Sequence, residues 1–198
     1  MSTGGSMNKI ITISRQFGAG GHSVAKLVAE NLGVECYDSI ILDKLAEETG
    51  FEKEYIKDTG EASLESKLWS FFSGHAEASQ QDYLWIAHSR IIEELADKGP
   101  CVIVGRSADF VLREKKNLVS VFLHASKEFR IKRIKELYGE KENITERTLA
   151  DIDKRRASYY QYYTDRRWGD VDNYTLSLDT SVLGVKKCAE IITMACGK

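Results

Sequence analysis

Cysteine is scarce and scattered: Cys36, Cys101, Cys188 and Cys196 form no Cys-x-x-Cys pair, and no histidines cluster beside them. The usual metal-site spacings are therefore missing, and free thiols in a reducing compartment are the expectation. Charge of one sign is missing as well, with 28 Lys and Arg against 30 Asp and Glu and a net charge of -2. Without a global field, the chain has no general attraction to a nucleic-acid backbone or an anionic membrane. No apolar run approaches the roughly 18 residues that span a bilayer, and the opening Met-Ser-Thr-Gly-Gly-Ser carries no apolar segment of a secretory signal. Residues 1 to 6 read as a flexible tail before Met7. The expectation is a cytoplasmic protein with neither a nucleic-acid polymer nor a membrane as partner.

What is present points to one domain over residues 7–198, since 198 residues can bury a substantial core. Ile10, Ile11 and Ile13 make a β-branched run too short for a helix, and glycines end it. Val24, Leu27, Val28 and Leu32 then recur at helical spacing from Ser23, with Gly33 placed to stop the helix. Val34 to Tyr37 reads as a second short strand ending at Asp38. Residues 39–98 read as a long helical region: Ile41, Leu42 and Leu45 open it, Leu64, Leu68, Phe71 and Phe72 give one apolar face, and Leu84, Ala87, Ile91 and Leu95 another. Such an excursion from a sheet can cover a substrate pocket, and simple core packing explains Trp69 and Trp85 equally well. Cys101 to Val104 and Leu118 to Leu123 are continuous apolar runs, the mark of a parallel sheet covered on both faces. Ser126 is placed to cap a helix that turns Phe129, Ile131, Ile134 and Leu137 inward. Tyr174 to Leu178 is the expected last strand, and Val182, Val185, Ala189 and Ile192 mark a closing helix. Strands alternating with helices define an α/β layered fold.

The segment after the first strand, Ser14-Arg-Gln-Phe-Gly-Ala-Gly-Gly-His-Ser23, carries the chemistry. Gly18, Gly20 and Gly21 around Ala19 let the backbone turn tightly and aim amide hydrogens at one spot, where a helix N-terminus adds its positive end. Phosphate is the natural guest. The pattern Gly-x-x-x-x-Gly-Lys-Ser/Thr is not met, because one alignment puts His22 at the lysine and another puts Gly21 there. Both leave Ser23 near the position of a magnesium-binding hydroxyl. A histidine there is mostly neutral at pH 7 unless its pKa is raised, and His22 also reads as a solvated helix residue. Arg15 is a candidate donor, since a guanidinium stays charged and can grip two phosphate oxygens.

These residues resemble the cytidylate-kinase-like family, a variant branch of the P-loop nucleoside monophosphate kinases. Besides the loop, Gly33-Val-Glu-Cys-Tyr-Asp38, Val102-Ile-Val-Gly-Arg-Ser107, Val121-Phe-Leu-His-Ala-Ser126 with Arg130 and Arg133, and Tyr174 to Thr180 are similar to its ordered motifs, over residues 10 to 195. The resemblance implies a P-loop parallel sheet with flanking helices, a helical acceptor-binding region at 39–98 and a helical lid near 130–168. It implies ATP as phosphoryl donor, Mg2+ as cofactor and a small-molecule nucleotide, CMP or dCMP, as acceptor. Gly18, Ala19, Gly20, Gly21, His22 and Ser23 would bind the donor, with Ser23 approaching the magnesium ion. Asp38 and Arg106 would bind the acceptor, and Arg155 would meet the transferring phosphate. Two departures stand out: the family's lysine falls on Gly21, and its lid pattern Arg-Asp-x-x-Asp-x-x-Arg is Arg155-Arg-Ala-Ser-Tyr-Tyr-Gln-Tyr162 here.

Arginines can supply the missing charge. Arg130 and Arg133, three apart on an expected helix, can share one side, and Arg155 or Arg156, aided by Arg15, can close from the lid. The aromatic run Tyr159, Tyr160, Tyr162, Tyr163 with Trp168 can stack on a base or tie the lid to the core. Asp151, Asp153, Asp165, Asp170 and Asp172 dilute the positive field and weigh against single-stranded nucleic acid. Two rivals stay open: a kinase for another phosphorylated or hydroxylated small molecule, and a noncatalytic nucleotide sensor. An apolar helix face can pack on the core or on a second copy, which leaves a homo-oligomer open.

Overall fold

The computed structural model describes residues 9–53, 56, 75–138 and 144–197, with side chains in the third stretch from Gln80 onward. Five strands form one parallel sheet in the order β2-β3-β1-β4-β5: β1 Ile10–Arg15, β2 Glu35–Tyr37, β3 Cys101–Val104, β4 Leu118–His124 and β5 Leu176–Asp179. The described helices are α1 Gly21–Leu32, α2 Ser39–Thr49, α3 His75–Asp97, α4 Ala108–Val111, α5 Lys127–Tyr138, α6 Glu146–Thr164 and α7 Thr180–Ala195. β1 lies at the centre, so the loop that follows it opens in the middle of the sheet's carboxyl edge. That is where open α/β sheets bind ligands.

Strand alternation divides the core between two faces. Ile11, Ile13, Val102, Val104 and Val121 pack with Val24 and Val28 of α1 and Cys188 and Ile192 of α7. Ile10, Cys101 and Ile103 pack with Ile41 and Leu45 of α2 and Leu84, Ile91, Ile92 and Leu95 of α3. Strands buried on both faces explain the unbroken apolar runs. Gly33 ends α1 at φ 70, a left-handed stop, and the Phe129 amide donates to Ser126 Oγ at 3.3 Å, the expected cap.

Three expectations shift. β5 begins two residues later than read, because Tyr174 is buried against Phe122, with ring centroids 5.1 Å apart, rather than entering the ladder. On α5 the inward residues are Ile134 and, unexpectedly, Arg130, while Leu137 is 59% exposed. On α7, Gly184 is non-helical (φ 77, ψ 158), which breaks the apolar register and leaves Val182 79% exposed. The expected apolar face at Leu64, Leu68, Phe71 and Phe72, and Trp69 with it, lie outside the described residues.

α6 is anchored rather than loosely laid over the sheet. Leu149 and Tyr160 are 0% and 2% exposed, and the Tyr160 hydroxyl donates to the buried carboxylate of Asp109 at 2.7 Å. Tyr160→Phe strands that oxygen, so urea unfolding should show a loss of about 1–3 kcal/mol, with the m-value unchanged.

Candidate functional site

Gly18 and Gly20 both take left-handed φ, 80 and 85. A Cβ on Gly18 would lie 2.8 Å from Ile134 Cδ1, and one on Gly20 would lie 3.2 Å from Arg133 Nε, so only glycine brings the backbone this close to α5. The loop is also pinned. Thr180 Oγ1, at the start of α7, donates to the Ala19 carbonyl at 2.8 Å. Asp153, on α6, accepts from the Phe17 amide at 2.8 Å through Oδ1 and from Arg130 Nη1 at 2.5 Å through Oδ2, and the same Nη1 donates to the Phe17 carbonyl at 3.2 Å. Arg130 is 5% exposed. Its charge is spent on holding the loop and does not face a cleft, contrary to the expectation that grouped it with the phosphate-facing arginines.

Arg15 fills the space beside Gly21 that a longer side chain there would need. Its side chain runs from the end of β1 across Gly21, where an added Cβ would meet Arg15 Cγ at 2.6 Å, and on to Gly105, where an added Cβ would overlap Arg15 Nη1. Arginine at 15 and a side chain at 21 compete for one volume. The amides of the first turn of α1 have no intrahelical acceptor and point the same way. The Arg15 stem thus lies against the start of α1 while its guanidinium lies against Gly105.

Two clefts open here and share a wall. The larger, about 470 Å³, is lined by the loop residues Gly18, Gly20, Gly21, His22 and Ser23, and by Asp38, Arg133 and Leu137. The smaller, about 70 Å³, is lined by Ser14, Gly105, Arg106, Ser107, Tyr159, Tyr160 and Trp168. Arg15 and Arg156 line both. Arg156 Nη1 donates to the Arg15 carbonyl at 3.2 Å, and its guanidinium carbon lies 5.5 Å from the Phe17 ring centroid. Arg155, one position earlier, is exposed and lines neither cleft.

Other expected residues fall as follows. Ser23 Oγ accepts from Arg133 Nη2 at 2.7 Å. His22 Nδ1 and Asp38 Oδ2 are 2.7 Å apart on the rim, with the His22 side chain 73% exposed. Asp38 thus opens into the larger cleft, while Arg106 faces the smaller one; the two are not brought together. Ala19 is fully buried beneath the loop.

In the smaller cleft Gly105, Arg106 and Ser107 are consecutively left-handed, with φ 70, 59 and 50. For the two non-glycine residues this costs roughly 1–2 kcal/mol each, and it swings the Arg106 side chain off the end of β3. Behind the turn, Ser14 Oγ donates to Asp109 Oδ1 at 3.1 Å. Burial pushes the Asp109 carboxyl above the usual carboxylate range, against the hydrogen bonds from Tyr160 and Ser14. Burial and the Asp109 charge together push the Tyr160 phenol strongly up. The tyrosine run ties α6 to α3: Trp85 and Tyr163 stack at 4.5 Å with 9° between planes, and Tyr159 meets Trp85 edge-on at 6.1 Å. Sequence reading missed Asp153, Asp109 and His88. Asp153 and Arg156, three apart on one helix, were the available signal for the first.

The fold is similar to that of solved P-loop kinases. An uncharacterized protein from Eubacterium ventriosum is 27% identical, with TM-score 0.68, covering 95% of this chain and 98% of its own. A gluconokinase from Sinorhizobium meliloti shares the fold at 18% identity and TM-score 0.57 (96% and 94% covered), as does a deoxyadenosine kinase from M. mycoides bound to dCMP and dCDP at 19% and 0.51 (93% and 97%). No curated protein sequence matches the chain. Residues 10–182 match the model of the cytidylate kinase-like family, and the chain belongs to that family.

The raised Asp109 pKa sets a pH dependence. Because the folded value lies above the unfolded one, near 3.8, its contribution to stability is full below the unfolded pKa and is lost as pH rises through the folded one. Urea unfolding from about pH 3.5 to pH 8 should show wild type losing stability relative to Asp109→Asn as pH rises; a constant difference would refute the assignment.

Proposed function

We propose that the chain is an ATP-dependent phosphotransferase with the donor phosphates in the larger cleft and the acceptor in the smaller one. The observation that carries this reading is that Arg15 and Arg156 line both clefts, so two guanidiniums flank the boundary a phosphoryl group has to cross. At about 470 Å³ the donor cleft lies within the roughly 300–1,000 Å³ of small-molecule sites. Phosphoryl transfer needs positioning and charge neutralisation more than covalent chemistry, and here the glycine-loop amides position while the arginines neutralise.

The residues fit a magnesium ion carried in on the nucleotide. Ser23 and Asp38 line the donor cleft, and no group of three or more metal-ligating side chains occurs among the described residues. Mg2+ is commonly held by one or two carboxylates plus substrate phosphates. When bound, it neutralises charge on the phosphate oxygens. Ser23 can serve only by sharing its hydroxyl with Arg133, which donates to it.

CMP or dCMP is the acceptor this family membership favours. At about 70 Å³ the acceptor cleft holds a phosphate-sized group of the acceptor. On this reading 39–98 is the acceptor-binding region, of which α2 and α3 are part, and 130–168 is the lid, with the protein in the cytoplasm. A hydroxylated small acceptor is the second reading, motivated by the same narrow cleft.

A screen of CMP, dCMP, gluconate and shikimate with ATP and Mg2+ decides: turnover on a non-nucleotide alone removes the nucleotide assignment, and ATP binding without any transfer makes the chain a sensor. Arg15→Gln and Arg156→Gln should each lower kcat/KM by roughly 10-fold or more, while Arg155→Gln should change it little. Gly21→Lys alone should also impair activity, since it displaces Arg15; unimpaired turnover would show that the two do not compete.

A further inference from the structure

One buried titratable ring is left unused by this scheme. His88, on α3, is 3% exposed, and neither ring nitrogen has a hydrogen-bond partner among the described residues. Buried polar groups are nearly always paired, because leaving one unpaired forfeits its hydration for nothing. The ring lines a small cavity whose other walls are apolar at Leu45, Ile56 and Leu84 and polar at Gln81, Arg106 and Tyr159. Arg106 and Tyr159 also line the acceptor cleft, so the chamber borders the cleft at these two residues.

The chamber's size and chemistry select its occupant. Its volume is about 20 Å³, just above the roughly 10–15 Å³ that one water requires, so it takes a single water-sized group. Burial, reinforced by the Arg106 charge, lowers the His88 pKa to about 3. At neutral pH the imidazole is uncharged and offers one donor and one acceptor. A hydroxyl, donor and acceptor at once, can pair with one of these nitrogens in either tautomer; the two point to opposite sides of the ring, so a single group answers only one. A carboxylate, with three heavy atoms, exceeds the chamber's volume of about 20 Å³, and an ammonium would face Arg106.

We propose that His88 determines acceptor specificity: with Gln81 and Arg106 it forms a side chamber of the acceptor cleft that receives one hydroxyl of the acceptor. This rests on the phosphotransferase reading and sharpens it, since it favours a ribose or polyol over a deoxy compound. His88 does not reach the transferring phosphate; it orients the acceptor by a group remote from the chemistry.

The test uses the full chain, with calorimetric binding of CMP, dCMP and ATP to wild type and His88→Leu beside the acceptor screen. Wild type should favour CMP over dCMP by roughly 10-fold or more. His88→Leu should bind the two within about twofold of each other, with ATP affinity unchanged and melting temperature not lowered. Discrimination that survives in His88→Leu overturns the proposal while leaving phosphotransfer intact. So does equal affinity of wild type for CMP and dCMP when either is turned over. If a polyol such as gluconate is the acceptor instead, its KM should rise roughly 10-fold in His88→Leu, and an unchanged KM overturns the proposal. Should that variant fail to fold, the imidazole 15N signals of His88 in wild type serve: they should shift on adding the acceptor that is turned over, and unmoved signals overturn it. If no acceptor binds or receives phosphate, the phosphotransferase reading fails and the chamber's role falls with it.

Discussion

The volume filled by Arg15 is the constraint around which the site is organised. One side chain from the end of β1 excludes a Cβ at Gly21, on the first turn of α1, and another at Gly105, beyond β3. Three chain segments are thereby matched to one another by exclusion. The same choice changes the kind of charge at the loop. A lysine is a mobile point charge on a flexible stem, whereas a guanidinium is a planar fork with five donors. Lying across the loop, it borders two clefts at once.

That arrangement works only if the loop stays still. Arg130 and Asp153 provide this at a cost, since both are largely out of water and a buried pair often gains little over an apolar one. The additional bonds to both polar groups of the Phe17 peptide give the pair its purpose. The arginines divide accordingly: Arg130 is buried against the Phe17 peptide, whereas Arg15 and Arg156 line both clefts, Arg156 also holding the Arg15 carbonyl.

Much of this was legible in the sequence, for identifiable reasons. Strands covered on both faces are apolar in long runs, and a tight turn that runs close to a helix favours glycine, so β1, β3, β4 and the Gly18–Gly21 turn could be read directly. Leu137 and Arg130 came out reversed because hydrophobic periodicity assumes that charge faces water, and a buried ion pair inverts it. Arg155 and Arg156 could not be separated, since adjacent residues on a helix lie about 100° apart and composition does not reveal which one faces inward. The family resemblance assigned both Asp38 and Arg106 to the acceptor, whereas Asp38 lines the larger cleft and Arg106 the smaller. His88 gave no signal at all, for it sits on the same buried face of α3 as Leu84 and Ile91 and looked like a gap in an apolar stripe.

α6 touches both sides of the boundary. Asp153 holds the Phe17 amide beside the larger cleft, and Tyr160, seven residues on, is held by Asp109 behind the smaller one. Seven residues of helix form a stiff rod of about 10 Å. The helix therefore fixes the spacing between the peptide that shapes the glycine loop and the wall behind the smaller cleft, so the two compartments are cut to one measure.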